Sequence, residues 1–294
     1  MSRVESIPAP VLVLGGVLSV QFGGALAATL VPQIGAAGSV ILRLGIATAL
    51  LVAIARPRWR GHSRRDLGTI VCFGVAMGLM NFAFYASLGH LPIGVAVTIE
   101  FVGPLTLAAV LSRRPRDLIA VAAAAIGVLL ISRALSLPFD QLEGTGIVLA
   151  LAAGVCWAGY IVFSGRTGAA FPQLEGLALA MVVATLVVLP FGLWDIARHG
   201  TDAWDGEVLL KGLGIAVLSS VLPYSLELLA LRRLAPAVFG ILLSMEPAVA
   251  ALAGLIVLGQ RLSQIQLLGM TLVVLASVLV LGLGAKKPRA ELPV

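Results

Sequence analysis

The chain has 294 residues, of which 60% are hydrophobic and 12% charged, and its mean hydropathy is +1.07. An ordinary soluble domain carries roughly 25% charged residues, so the composition excludes a soluble enzyme. The formal net charge of +6 does not point to nucleic acid, because the Lys and Arg flank apolar runs instead of forming a separate polar domain. Positive-inside topology produces that placement.

Reading apolar runs against their breakers predicts ten membrane-spanning helices. They lie near residues 10–29, 38–55, 67–87, 93–111, 118–133, 145–164, 175–194, 211–230, 237–256 and 265–284, each close to the roughly 20 residues a bilayer requires. The first run follows MSRVESIPAP and continues to Thr29 with no clear cleavage site, so it reads as a retained helix and not a signal peptide. Cys72 and Cys156 both fall inside apolar segments, which argues against a disulfide framework. The polar residues Asp195–Lys211 form the one strongly polar connector. His62, His90 and His199 fall in connectors and are expected to be solvated. No metal site, cofactor site, Ser/His/Asp set, Cys cluster or phosphate-cradling glycine loop is expected.

With the N-terminus placed inside, fifteen of the twenty Lys and Arg fall in inside connectors, four in outside connectors, and Arg43 within a span. This asymmetry predicts an even number of spans with both termini cytoplasmic.

An internal repeat is also legible. Asn81 to Leu105 reads NFAFYASLGHLPIGVAVTIEFVGPL, and Tyr224 to Ala248 reads YSLELLALRRLAPAVFGILLSMEPA. A shift of 143 residues, the separation of Asn81 from Tyr224, also pairs Leu88 with Leu231, Leu91 with Leu234, Val95 with Val238 and Pro104 with Pro247. Five helices per half is an odd number, so the halves must be inserted in opposite orientations. The charges agree, since SLGHLP in the first half has no Lys or Arg and its counterpart ALRRLAP has two. The expected domains are a first repeat over 1–137 and a second over 138–294 ending in a short basic tail. Inverted repeats of this kind place substrate near the midplane where the halves meet.

Charged side chains at a helix centre cost about 2.5–3.5 kcal/mol on insertion scales, and normally mark a substrate or ion path. Arg43, Glu100, Glu227 and Glu246 occupy such positions. Glu100 precedes Gly103-Pro104 and Glu246 immediately precedes Pro247, and proline bends a helix and frees a carbonyl. Asn81 and Tyr85 share a face of span 3, and Tyr224 and Glu227 share a face of span 8 beside Pro223. Under the repeat shift Asn81 matches Tyr224, so both are expected near the pseudo-twofold axis. Trp157 and Tyr160 add an aromatic face on span 6, and Gln21 lies at matching depth on span 1. These groups suit a zwitterion with a polar side chain. Each also has a structural reading: Arg43 as one half of an interhelical ion pair, Glu100 and Glu246 as carboxyls bonded across helices, Glu227 as a snorkelling side chain, and the tyrosines as packing or interfacial residues.

The string Asn81–Asp117 resembles the bacterial threonine/homoserine exporters, which carry paired EamA domains and belong to the drug/metabolite transporter superfamily. Also similar to them are SVQFGGALA (Ser19–Ala27), LRLG (Leu42–Gly45), GVCWAGYI (Gly154–Ile161), LPYSLELLAL (Leu222–Leu231) and SMEPAVAAL (Ser244–Leu252). The likeness runs from about residue 10 to 284. It implies an all-α integral membrane protein of ten helices in a five-plus-five inverted repeat, exporting small polar metabolites across the bacterial inner membrane in exchange for protons. By motif position it points to Gln21, Asn81, Tyr85, Glu100, Trp157, Tyr224, Glu227 and Glu246 as the candidate substrate-binding residues, without saying which of them touches substrate. The expected partners are an amino-acid substrate, protons and the bilayer, with the chain a monomer or homodimer. In the expected cycle Arg43 and a carboxylate bracket the substrate's charged ends, and Glu100 or Glu246 carries the proton. Two other functions remain open: efflux of hydrophobic cations or drugs, in which Arg43 faces away from the cavity, and a membrane scaffold or enzyme.

Overall fold

A computed structural model describes residues 7–58, 61–91, 93–112, 115–132, 143–200, 204–249, 252 and 263–282. The expected repeat boundary at 137/138 and the basic tail lie outside the described residues. The described residues are helical with short connectors and contain no strand.

In chain order the helices are α1 (Ala9–Ile34), α2 (Ala36–Ala55), α3 (Arg64–Ser87), α4 (Ile93–Leu111) and α5 (Pro115–Ser132). They continue with α6 (Gly144–Ala170), α7 (Glu175–His199), α8 (Gly206–Leu231), α9 (Pro236–Leu243) and α10 (Gln264–Gly282). Six of them, α2, α3, α5, α6, α7 and α8, are long and apolar enough to cross a membrane by length and composition. The chain is therefore an all-helical integral membrane protein. The polar connector expected over Asp195–Lys211 is shorter than its composition suggests, because α7 runs to His199 and α8 begins at Gly206. Trp194 and Ile196 prolong the apolar run, and Asp205 caps α8 by accepting the Val208 N–H at 2.9 Å. The side-chain oxygen satisfies one of the donors that every helix N-terminus leaves without a partner.

Two local features shape the helices around the polar centre. Pro223 has no N–H, so the Ser219 carbonyl four residues earlier loses its helical donor. The chain answers with a π-helical turn over Val217–Val221, closed by the Leu222 N–H bonding the Val217 carbonyl. That turn lies hard against α1. The Ser19 hydroxyl donates to the Leu218 carbonyl at 2.6 Å, and a Cβ on Gly23 would lie 2.0 Å from Ser219 Oγ. In α4, Pro104 likewise removes the partner of the Glu100 carbonyl. Gly154 of α6 presses against it, such that a Cβ at Gly154 would stand 2.5 Å from the Glu100 oxygen and one at Gly103 would stand 1.9 Å from the Gly154 oxygen. Only glycines permit this crossing, a device common where membrane helices approach closely.

The most extensive packing joins helices distant in sequence: α3 with α6, α5 with α10, α2 with α7, and α1 with α8. Along the α2–α7 seam Thr48 and Thr185 hydroxyls share a hydrogen bond of 2.7 Å. At one end of that seam the Asp195 carboxylate accepts the Ala37 and Gly38 N–H groups at 2.9 and 3.1 Å. At the other end Glu175 accepts the Arg58 N–H at 2.9 Å. The α2 helix, which carries Arg43, is thus fixed to α7 at both ends and in the middle.

Candidate functional site

Arg43 is 6% exposed in the centre of α2. Its Nη2 donates to Asn81 Oδ1 on α3, and its guanidinium lies over the Tyr85 ring at 5.3 Å from the centroid. A guanidinium carries five N–H donors. Here the buried Nε has no hydrogen-bond partner, and no carboxylate of a described residue forms an ion pair with Arg43. Among the described residues the interhelical ion pair is absent, and the buried cation keeps an unpartnered Nε donor. A guanidinium N–H donor of this kind suits a carboxylate oxygen.

Asn81 is buried and links Arg43 to the second half of the chain. Its Nδ2 donates to the Met77 carbonyl at 2.8 Å and to the Tyr224 hydroxyl at 2.9 Å. Tyr224 in turn packs its ring against Tyr160 with centroids 5.6 Å apart. Tyr160, fully buried on α6, donates its hydroxyl to Glu227 Oε2 at 2.7 Å. Arg43, Asn81, Tyr224, Tyr160 and Glu227 thus form one connected polar array across α2, α3, α8 and α6, with cationic and carboxylate ends. The snorkelling alternative for Glu227 fails, because the side chain is only 5% exposed and its acceptor is turned inward to Tyr160.

The other expected residues lie around this array with less direct connection. Glu100 is buried on α4, and Glu246, just beyond α9, is half-buried. Trp157 is buried with its ring edge on Phe101, centroids 4.9 Å apart, which is a packing contact. Gln21 is half-buried on α1 and makes no hydrogen bond to a described residue.

Sequence reasoning missed the buried hydroxyls Ser219 and Ser220 of the π turn, although Pro223 signalled a bend there. It also misjudged His62. The imidazole is 14% exposed, shares a 2.6 Å hydrogen bond with the Arg58 carbonyl and packs on Phe171. His90 is more open and hydrogen-bonds Glu143 at 2.7 Å. No group of three or more metal-ligating side chains occurs among the described residues.

Apolar helices that bury an arginine without a carboxylate partner among the described residues, together with the carboxyls Glu100 and Glu227, point to the class of membrane transporters, since such charges in a bilayer normally mark a path or a ligand. The comparisons narrow the class. The EamA-like transporter family profile matches residues 144–282. The threonine/homoserine exporter RhtA of Escherichia coli K12 is 40% identical over 272 residues, covering 91% of this chain and 89% of the relative. RhtA of Salmonella typhimurium LT2 is 40% identical over 274 residues, covering 91% and 90%. A probable amino-acid metabolite efflux pump of the same Salmonella strain is 27% identical over 239 residues, covering 76% and 80%. A protein of known crystal structure superposes with a TM-score of 0.74 at 17% identity, over 94% of this chain and 96% of that one, which establishes a shared fold. This chain belongs to the threonine/homoserine exporter family of EamA-like transporters. It is a multi-pass inner-membrane transporter and not an enzyme.

Proposed function

We propose that this protein exports threonine, homoserine or similar small amino acids across the bacterial inner membrane, by alternating access coupled to proton exchange. The observation that carries this reading is the buried Arg43, which has an unpartnered Nε donor and no carboxylate partner among the described residues. A zwitterionic substrate supplies that carboxylate, and its ammonium group finds Glu227 or Glu246. The named function of the two RhtA relatives supports the same substrate class. A cation-effluxing transporter is disfavoured because its cavity would not hold an inward-facing arginine, which repels cations. A scaffold or enzyme is disfavoured by the transporter family membership.

The architecture proposed with this function is ten spans in a five-plus-five inverted repeat, residues 1–137 and 138–294, with both termini cytoplasmic. Three observations support it: the Lys and Arg asymmetry, the 143-residue sequence shift, and a packing pattern that largely maps onto itself when α1–α5 are exchanged with α6–α10. Glu100 or Glu246 carries the proton.

Purified protein in liposomes, loaded with unlabelled threonine and given labelled threonine outside, tests the substrate. Transient accumulation of label, competed by homoserine and not by a cationic dye, is expected. Folded, inserted protein that accumulates no label rejects threonine, and competition by the dye favours cation efflux.

A further inference from the structure

Sequence position places Asn81 among the candidate substrate-binding residues. Its hydrogen bonds argue for a different task. An Asn amide offers two N–H donors and a carbonyl acceptor. Both donors are in use, to the Met77 carbonyl and the Tyr224 hydroxyl. The carbonyl receives the Arg43 Nη2 donor, with the Tyr224 hydroxyl 3.3 Å away. The amide orientation is forced, because Met77 presents only an acceptor and Arg43 only donors. Asn81 is therefore occupied on every side before any substrate arrives.

What it supplies is a neutral brace. Asn81 fixes one corner of the guanidinium while Tyr85 supports its face. An amide brings no negative charge, so Arg43 has no compensating carboxylate among the described residues and its buried Nε keeps no partner. We propose that Asn81 is a positioning residue for Arg43, whose neutrality reserves the guanidinium for the substrate carboxylate. The inference rests on the reading of Arg43 as the carboxylate site. It also gives the second half of the chain a hand in substrate affinity, because Tyr224 on α8 helps hold Asn81.

Charge and shape separate this role from a structural one. Asp is the closest match to Asn in shape and keeps an acceptor facing Arg43, so a purely structural role makes Asn81→Asp milder than Asn81→Ala. A reserving role reverses the order, because the carboxylate introduced pairs with Arg43 and competes with the substrate. The experiment measures KM and kcat for threonine exchange in liposomes, with insertion checked by size-exclusion chromatography. Asn81→Asp is expected to raise KM about tenfold or more, as occupation of a charge-assisted site should, and Asn81→Ala by less. Asn81→Asp equal to or milder than Asn81→Ala overturns the proposal.

Should Asn81→Asp fail to insert, the decision passes to a double-variant cycle of Asn81→Ala with Arg43→Lys. Lysine offers a point charge without the planar fork, so once Arg43 is replaced, removal of Asn81 is expected to leave KM unchanged. Independent, multiplying losses in the double variant overturn the proposal. Threonine exchange unaffected by Arg43→Lys overturns the reading of Arg43 itself, and this inference with it. An impaired Arg43→Lys with multiplying losses overturns this inference alone.

Discussion

Asn81 on α3 and Tyr224 on α8 meet through a 2.9 Å hydrogen bond, and they are 143 residues apart. The same interval relates Pro104 to Pro247. Residues related by a twofold axis touch one another only where both lie close to that axis. Their contact is what the proposed inverted repeat requires of residues near its axis.

Tyr224→Phe keeps the ring against Tyr160 and removes the hydroxyl that holds Asn81. A buried hydrogen bond of this kind contributes about 0.5–1.5 kcal/mol, so KM for threonine is expected to rise about two- to tenfold with kcat little changed. Exchange kinetics in liposomes check this, and an unchanged KM would remove Tyr224 from the chain of support behind Arg43.

Tyr160→Phe leaves the buried Glu227 carboxyl without its 2.7 Å donor. An orphaned buried acceptor costs about 1–3 kcal/mol, and the polar array loses its continuity at that point. The variant is expected to insert normally and lose about tenfold or more in exchange rate. A rate equal to that of the parent protein would show that Glu227 acts without Tyr160.

For proton coupling the informative pair is Glu100→Gln and Glu246→Gln. Both keep side-chain size and lose the exchangeable proton. At equal pH on the two sides threonine exchange is expected to continue, while acceleration by an imposed pH gradient is lost in one of them. Full response to the gradient in both variants would assign the coupled proton elsewhere.

The crossing of α4 and α6 predicts a sharp contrast between glycines on one helix. A Cβ at Gly154 meets the Glu100 carbonyl at 2.5 Å, whereas one at Gly165 meets nothing within 4 Å. Gly154→Ala must force α4 and α6 apart and is expected to lower the unfolding temperature in detergent. Gly165→Ala is expected to leave it unchanged or raise it, since Ala favours helix over Gly by about 0.8–1.0 kcal/mol. Similar shifts for the two variants would contradict the close crossing.

Much of this arrangement was legible because bilayers penalise charge. Arg43, Glu100, Glu227 and Glu246 stand out in apolar runs wherever their partners lie, and the repeat shift marks Asn81 and Tyr224 as a corresponding pair. What stayed hidden depends on contacts between helices, which periodicity along one helix does not encode. The Tyr160–Glu227 bond, the Gly103–Gly154 crossing and the Asp195 cap on α2 all depend on inter-helix register. Pro223 announced a bend, yet its resolution as a π turn against Gly23 required α1 to be in place. His62 read as a solvated loop residue because nothing local announces that Phe171 and Glu175 come to cover it.

The interleaving of distant helices also constrains how the protein is made. Helix α2 finds its seam with α7, and α5 its seam with α10, only when those later helices exist. At a synthesis rate of roughly 5–20 residues per second, α2 and its buried arginine wait on the order of ten seconds in the membrane for α7 to emerge. During that interval the early helices expose seams that other nascent chains could occupy. The completed fold is therefore a late event in translation, and a ribosome stalled after α6 leaves Arg43 in the bilayer without the helix that holds α2 in place.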